Sequence, residues 1–166
     1  MQVYTGEGKG KTTAALGLAL RACGSGLRVF LVQFAKGRPS GELAALARFA
    51  DLVTVRQFGR EGFILGEPKP EDRDLARAGW REARRAATRG YDLLILDEIG
   101  IALHYWLVDT AEVLALVRDK PAGLELVLTG RRMPDEILQA ADLVTEMREV
   151  KHYHARGVPA RRGIEY

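Results

Sequence analysis

Nine consecutive residues, TGEGKGKTT from Thr5 to Thr13, have the composition of a loop that cradles phosphate. Successive backbone N–H groups converge on one anion only where small residues let the chain turn inward, and Gly6, Gly8 and Gly10 supply that freedom. Lys11 adds a mobile positive charge, and Thr12 stands where the pattern G-x-x-x-x-G-K-[ST] offers a hydroxyl to magnesium. The register holds from Gly10 through Thr12, whereas Thr5 takes the place of the first glycine. Thr5, Gly6, Glu7, Gly8, Lys9, Gly10, Lys11, Thr12 and Thr13 are the candidate nucleotide ligands; the plainer alternative is a glycine-rich turn. A second group comes from LLILDE, where an acid follows four apolar strand residues. Phosphate-loop proteins hold magnesium with such an acid, directly or through water, so either Asp97 or Glu98 is the expected ligand. A solvated acidic turn is the competing reading. Together the two motifs describe a magnesium–nucleoside triphosphate site without saying which bond breaks.

Such a loop needs a strand before it and a helix after it. Met1 to Tyr4 has room for one short strand, and Thr12 to Cys23 reads as a buried helix rich in alanine and leucine, ended by Gly24 and Gly26. Arg28 to Phe34 is a near-continuous apolar run, the mark of a strand covered on both faces. A helix over Glu42 to Ala50 and a strand over Val53 to Phe58 follow. The segment GREGFILGEPKP, Gly59 to Pro70, then breaks the pattern with three glycines and two prolines around Phe63, Ile64 and Leu65. These apolar residues either contact a substrate or fold back onto the core. Beyond it the spacing predicts helices over Glu71–Arg89, Asp109–Arg118 and Asp135–Ala141, and strands over Tyr91–Leu96, Leu124–Leu128 and Leu143–Val150. Trp80 falls on the apolar face of its helix and is expected in the core. The alternation implies a single α/β domain with a mostly parallel sheet and helices on both faces.

A chain of 166 residues, 47% hydrophobic, suffices for one core. The net charge of +3 suits an anionic ligand, but the cations are scattered, which argues against nucleic acid as a partner. The single cysteine, Cys23, has no partner for an internal disulfide, so a cytoplasmic setting is expected and core packing is its natural role. No apolar run reaches a membrane span, and no leader is expected before the first strand.

The runs VYTGEGKGKTTAALGLALRACGSGLRVFLVQFAKG, GFILGE, LLILDEIGIALHY and LVLTGRRMPDEILQAADLVTEMREVKHYHARGVPARRGIEY, in that order, resemble the phosphate-loop ATP:cob(I)alamin (corrinoid) adenosyltransferases over essentially the whole chain. The resemblance implies a RecA-like phosphate-loop fold and transfer of the 5′-deoxyadenosyl group of ATP to the cobalt of a reduced corrinoid, with tripolyphosphate released. It implies magnesium with ATP, cobalamin or a related corrinoid as second substrate, an electron donor such as a flavoprotein reductase, and a homodimer. It implies ATP held in reversed orientation along the loop, with which Thr5 in place of glycine is consistent. Arg21 and Arg131 match positions where the family carries basic residues; Arg21 is either a phosphate or ribose contact or a surface arginine. Phe63 matches an aromatic that packs beneath the corrin ring, displaces the lower axial ligand and eases reduction of cobalt(II). Lys11 and Phe63 are thus the catalytic candidates, and Phe63 and Leu65 the corrinoid contacts.

Three departures accompany the resemblance. Leu65 stands where a second aromatic is common, Glu7 where asparagine is common, and the family's N-terminal extension has no counterpart in this sequence, so the pocket is expected to be either more open or closed by other means. His104, His152 and His154 lack metal-ligand spacing, and His152 is a motif residue of unassigned role. Two other classes remain compatible with the loop and LLILDE alone: an ATPase or small-molecule kinase, and a non-catalytic nucleotide-binding module.

Overall fold

A computed structural model describes residues 1–62, 64 and 66–165. Six strands, β1 (Gln2–Thr5), β2 (Val29–Phe34), β3 (Val53–Phe58), β4 (Leu93–Asp97), β5 (Glu125–Thr129) and β6 (Leu143–Glu146), form one sheet in the order β3-β2-β4-β5-β1-β6. Every neighbouring pair is parallel, so the sheet is wholly rather than mostly parallel. The helices are α1 (Lys11–Gly24), α2 (Gly41–Leu46), α3 (Pro70–Ala86), α4 (Ile99–His104), α5 (Thr110–Asp119) and α6 (Asp135–Ala140).

The near-continuous apolar strands bury both faces, and their alternation sorts side chains into two cores. On one face Phe30, Val32 and Phe34 of β2 and Leu94 and Leu96 of β4 pack with Ala76, Trp80 and Ala83 of α3. On the other, Val29 and Leu31, Leu93 and Ile95, and Val127 pack with Ala15, Leu16, Ala19 and Cys23 of α1. Each large apolar side chain so enclosed contributes about 1.5–3 kcal/mol. Trp80 and Cys23 are core residues, as their patterning indicated.

By the same alternation, the last α1-facing residues of three strands emerge beside one another. Gln33 ends the series Val29–Leu31, Asp97 the series Leu93–Ile95, and Thr129 follows Val127. Because α1 leaves the end of β1 and packs across β5 and β4, its first turn lies over this row.

The elements differ from the sequence expectation in several places. α4 follows β4 directly where no helix is expected, α2 stops at Leu46 and gives way to a 3-10 turn over Ala47–Phe49 rather than running to Ala50, β6 stops at Glu146 rather than Val150, and α3 stops at Ala86 rather than Arg89. β6 stops because its partner does. The β1–β6 register ends at Thr5 opposite Glu146, beyond which β1 becomes the loop.

Candidate functional site

The loop is braced from outside by the chain that leaves β6. Met147 donates its N–H to the Thr5 carbonyl at 2.8 Å and accepts the Gly8 N–H at 2.7 Å. Gly8's N–H therefore points outward, unlike the inward-turned group expected of a phosphate cradle. The contact is too close for side chains: a Cβ on Gly6 lies 2.5 Å from the Met147 carbonyl oxygen, and one on Gly8 lies 2.7 Å from it. Gly10 (φ 118) then admits the chain to α1, whose first turn has no side-chain cap and no acidic residue. Its free N–H groups and dipole form an anion seat.

Lys11 is buried, with its ammonium on two carbonyls of its own loop, Gly6 at 2.6 Å and Gly8 at 2.8 Å. Burial pushes its pKa down, opposed by the charge of Glu98. Thr12 turns its hydroxyl toward β4 and donates to Asp97 Oδ1 at 2.9 Å. Asp97 is wholly buried and surrounded by donors. Thr129 reaches Oδ1 at 2.7 Å, Gln33 reaches Oδ2 at 2.9 Å, and the Lys36 ammonium reaches Oδ2 at 2.7 Å and Thr12 Oγ1 at 3.0 Å. Gln57 of β3 extends the row by donating to Gln33 at 3.1 Å.

Glu98 follows Asp97 in a left-handed conformation, φ 59, uncommon for a residue with a side chain. Its N–H donates to Thr129 Oγ1 at 2.9 Å, which fixes the turn. Burial and the neighbouring Asp97 push its carboxyl pKa up, against Lys36, Lys11 and Arg131. Thr12 and Asp97 offer a hydroxyl and a carboxylate oxygen to one position, and a cationic group already fills it. Magnesium takes such hard oxygens together with phosphate oxygens and water, so the residues fit that ion. Among the described residues there is no cluster of three or more His, Cys, Asp or Glu, the kind of set that would hold a metal by protein ligands alone.

The other candidates divide. Arg131 pairs with Glu7 at 3.5 Å across the mouth of the loop, both exposed. Lys9 reaches the C-terminal tail, at 3.0 Å to the Ile164 carbonyl and 3.4 Å to Glu165. This tail, Lys9 and His152 border a cleft of about 330 Å³. Thr13 is exposed in the first turn of α1. Arg21 lies in the last turn of α1, ten residues beyond Lys11 and so roughly 15 Å along the axis, away from the loop. Phe63 and Leu65 lie outside the described residues, while Ile64 between them packs against the core. Arg60 and Asp72 join the two ends of this segment by a two-pronged ion pair, both bonds 2.8 Å.

Lys36, Gln33, Thr129, Met147 and the Arg60–Asp72 pair were not singled out as site residues in the sequence. Only the end position of each strand's buried series could have flagged Gln33 and Thr129.

Comparison with known proteins bears on the activity. Residues 1–166 match the family described as ATP:corrinoid adenosyltransferase BtuR/CobO/CobP. The corrinoid adenosyltransferase of Pseudomonas aeruginosa is 40% identical over 168 residues, covering 99% of this chain and 82% of that protein. Those of a Sinorhizobium species and of Escherichia coli K12 are each 38% identical over 99% of this chain, covering 78% and 84% of their own lengths.

Proposed function

This chain belongs to the ATP:corrinoid adenosyltransferase family, and on that footing we propose that its phosphate loop holds a leaving group rather than a group to be donated. The enzyme transfers the 5′-deoxyadenosyl group of ATP to the cobalt of a reduced corrinoid. The cobalt(I) electron pair forms the bond to C5′, the C5′–O bond breaks, and its electrons leave on tripolyphosphate. Cobalt(I) is itself a powerful nucleophile, so no protein base is required. What remains for the protein is to set C5′ in line with cobalt and to steady the charge growing on the leaving oxygen.

Lys11, the free N–H groups of α1 and the Thr12 hydroxyl serve the second task. The observation that carries this division is the wholly buried Asp97, with the Thr12 hydroxyl 2.9 Å from its carboxylate. It supports a magnesium site made by Thr12 and Asp97. When bound, magnesium supplies further neutralisation of the polyphosphate. Glu98, Arg131 and Glu7 set the electrostatics at the mouth, Arg131 offsetting the negative charge that Glu7 brings to the loop. The family motif assigns Phe63 and Leu65 to the corrinoid, with Phe63 as the group that excludes an axial ligand.

The same reading includes a flavoprotein-type electron donor, a cytoplasmic setting and a homodimer. The half-exposed Leu143 and Val144 of β6 support the last, and sedimentation at twice the chain mass tests it. No described helix is long and apolar enough to cross a membrane.

The decisive experiment is anaerobic. With ATP, magnesium and chemically reduced cobalamin, the purified protein forms a light-sensitive cobalt–carbon product and one tripolyphosphate per turnover. ADP or single phosphate in its place would indicate a phosphate-loop ATPase or kinase. Phe63→Ala lowers the rate from cobalt(II) with a reductant far more than the rate from pre-reduced cobalt(I). Equal losses in the two assays would remove its axial-ligand role.

A further inference from the structure

Lys36 lies in the turn after β2, and its ammonium lies 2.7 Å from Asp97 Oδ2 and 3.0 Å from Thr12 Oγ1. These are the two oxygens assigned above to magnesium. We propose that Lys36 is a resident counter-cation of the metal site, filling the magnesium position in the nucleotide-free enzyme and giving it up when the metal–nucleotide arrives. The inference rests on the reading of Thr12 and Asp97 as metal ligands.

Three observations carry it. First, Asp97 has no contact with solvent, and a buried carboxylate without a neighbouring cation is strongly disfavoured. Gln33 and Thr129 satisfy its lone pairs but bring no charge, whereas Lys36 brings one. Lys11, which could have done the same, is engaged with Gly6 and Gly8 instead.

Second, the position of Lys36 is built by the backbone. Ala35 adopts φ 51, and its N–H donates to the Phe58 carbonyl at 2.9 Å. The turn 35–37 then crosses residues 59–60 so closely that neither Gly37 nor Gly59 has room for a Cβ. A turn so confined aims the lysine stem at one place.

Third, the side chain is one-third exposed, so it has a way out that Asp97 lacks. Magnesium needs oxygens at about 2.0–2.1 Å, and an ammonium on the same two oxygens blocks that shell by volume and by repulsion. Exchange leaves Asp97 compensated in both states. Once displaced, Lys36 adds positive charge beside the polyphosphate and Lys11.

The test uses manganese(II) as the probe, free ion being counted by electron paramagnetic resonance, on the full chain without nucleotide. If Lys36 competes for the site, apparent metal affinity is reduced by the fraction of molecules it occupies. Lys36→Met then binds manganese about tenfold or more tightly than the wild type. Its thermal midpoint falls without metal and recovers when manganese is added. Lys36→Gln, which keeps a donor but no charge, serves as the second variant and behaves alike, while Lys36→Arg retains wild-type affinity. Both neutral variants binding manganese no more tightly than wild type overturns the proposal. Asp97→Asn separates the premise, because it weakens binding in wild-type and Lys36→Met backgrounds alike. If instead it leaves affinity unchanged, the metal reading fails and the counter-cation role falls with it.

Discussion

Lys11 holds two carbonyls of its own loop, so in the proposed role its positive charge is desolvated and aimed before any polyphosphate arrives. Lys11→Ala removes a charge-stabilising donor of the kind whose loss costs about 10²–10³ in turnover, and steady-state rates on pre-reduced cobalamin measure it. Asp97 and Glu98 separate by environment, although LLILDE alone leaves them equivalent. Asp97 is enclosed by Thr12, Thr129, Gln33 and Lys36, whereas Glu98 turns out of the sheet on a left-handed residue. Asp97→Asn is expected to raise the magnesium concentration needed for half-maximal rate. Glu98→Gln is expected to lower the rate about tenfold with that requirement unchanged, the reverse pattern reversing the assignment. Lys11, Thr12 and the acidic pair are legible in the chain because they sit in fixed spacings. Lys36, Gln33 and Thr129 are not, since each acquires its role only when strands distant in sequence are brought into register.

At the scale of elements, the segment between β3 and α3 is closed at its base. Lys69, the residue before α3, cannot cap the helix with an ammonium; instead Asp72 accepts the Lys69 N–H at 2.8 Å and takes the Arg60 fork with the same carboxylate. Hydrogen bonds from Arg60 hold the Asp72 carboxyl below its ordinary value of 3.8. Near that pH the folded chain therefore binds fewer protons than the unfolded chain. The contribution is complete above the unfolded value and is lost as pH falls through the lower folded one. Asp72→Asn should thus lower the thermal midpoint at neutral pH by roughly 2–4 °C, the effect of about 1 kcal/mol of lost capping in a chain of this size. The gap to wild type closes as scans are taken below pH 4, and a gap independent of pH would deny the pair its ionic character. The elements themselves follow from apolar periodicity wherever they are long. α4 escapes because Ile99–His104 is too short to show a helical period, and β6 is overextended because Leu143–Val150 carries no sign that its partner ends at Thr5.

For the whole molecule, the alternation of strand and helix gives the parallel sheet, but not the strand order that sets β5 between the loop strand and Asp97. That order determines what ligand binding stabilises. The loop after β1 and the first turn of α1 are joined to the end of β4 through the Thr12–Asp97 contact, the Lys36 ammonium that bridges the same two side chains, and the core beneath them. A ligand that bridges loop and β4 therefore ties together elements whose separation accompanies unfolding. A ligand present at about 100 times its dissociation constant adds about 2.7 kcal/mol, or roughly 5–11 °C in the thermal midpoint at this chain length. If the contacts are chiefly to phosphate, magnesium tripolyphosphate at saturation reproduces most of the shift given by magnesium-ATP, while adenosine produces almost none. Omitting magnesium removes more of the shift from wild type than from Asp97→Asn, whose metal position is already impaired. A large shift with adenosine alone would move the binding energy to the nucleoside end and leave the loop without its place as holder of the leaving group.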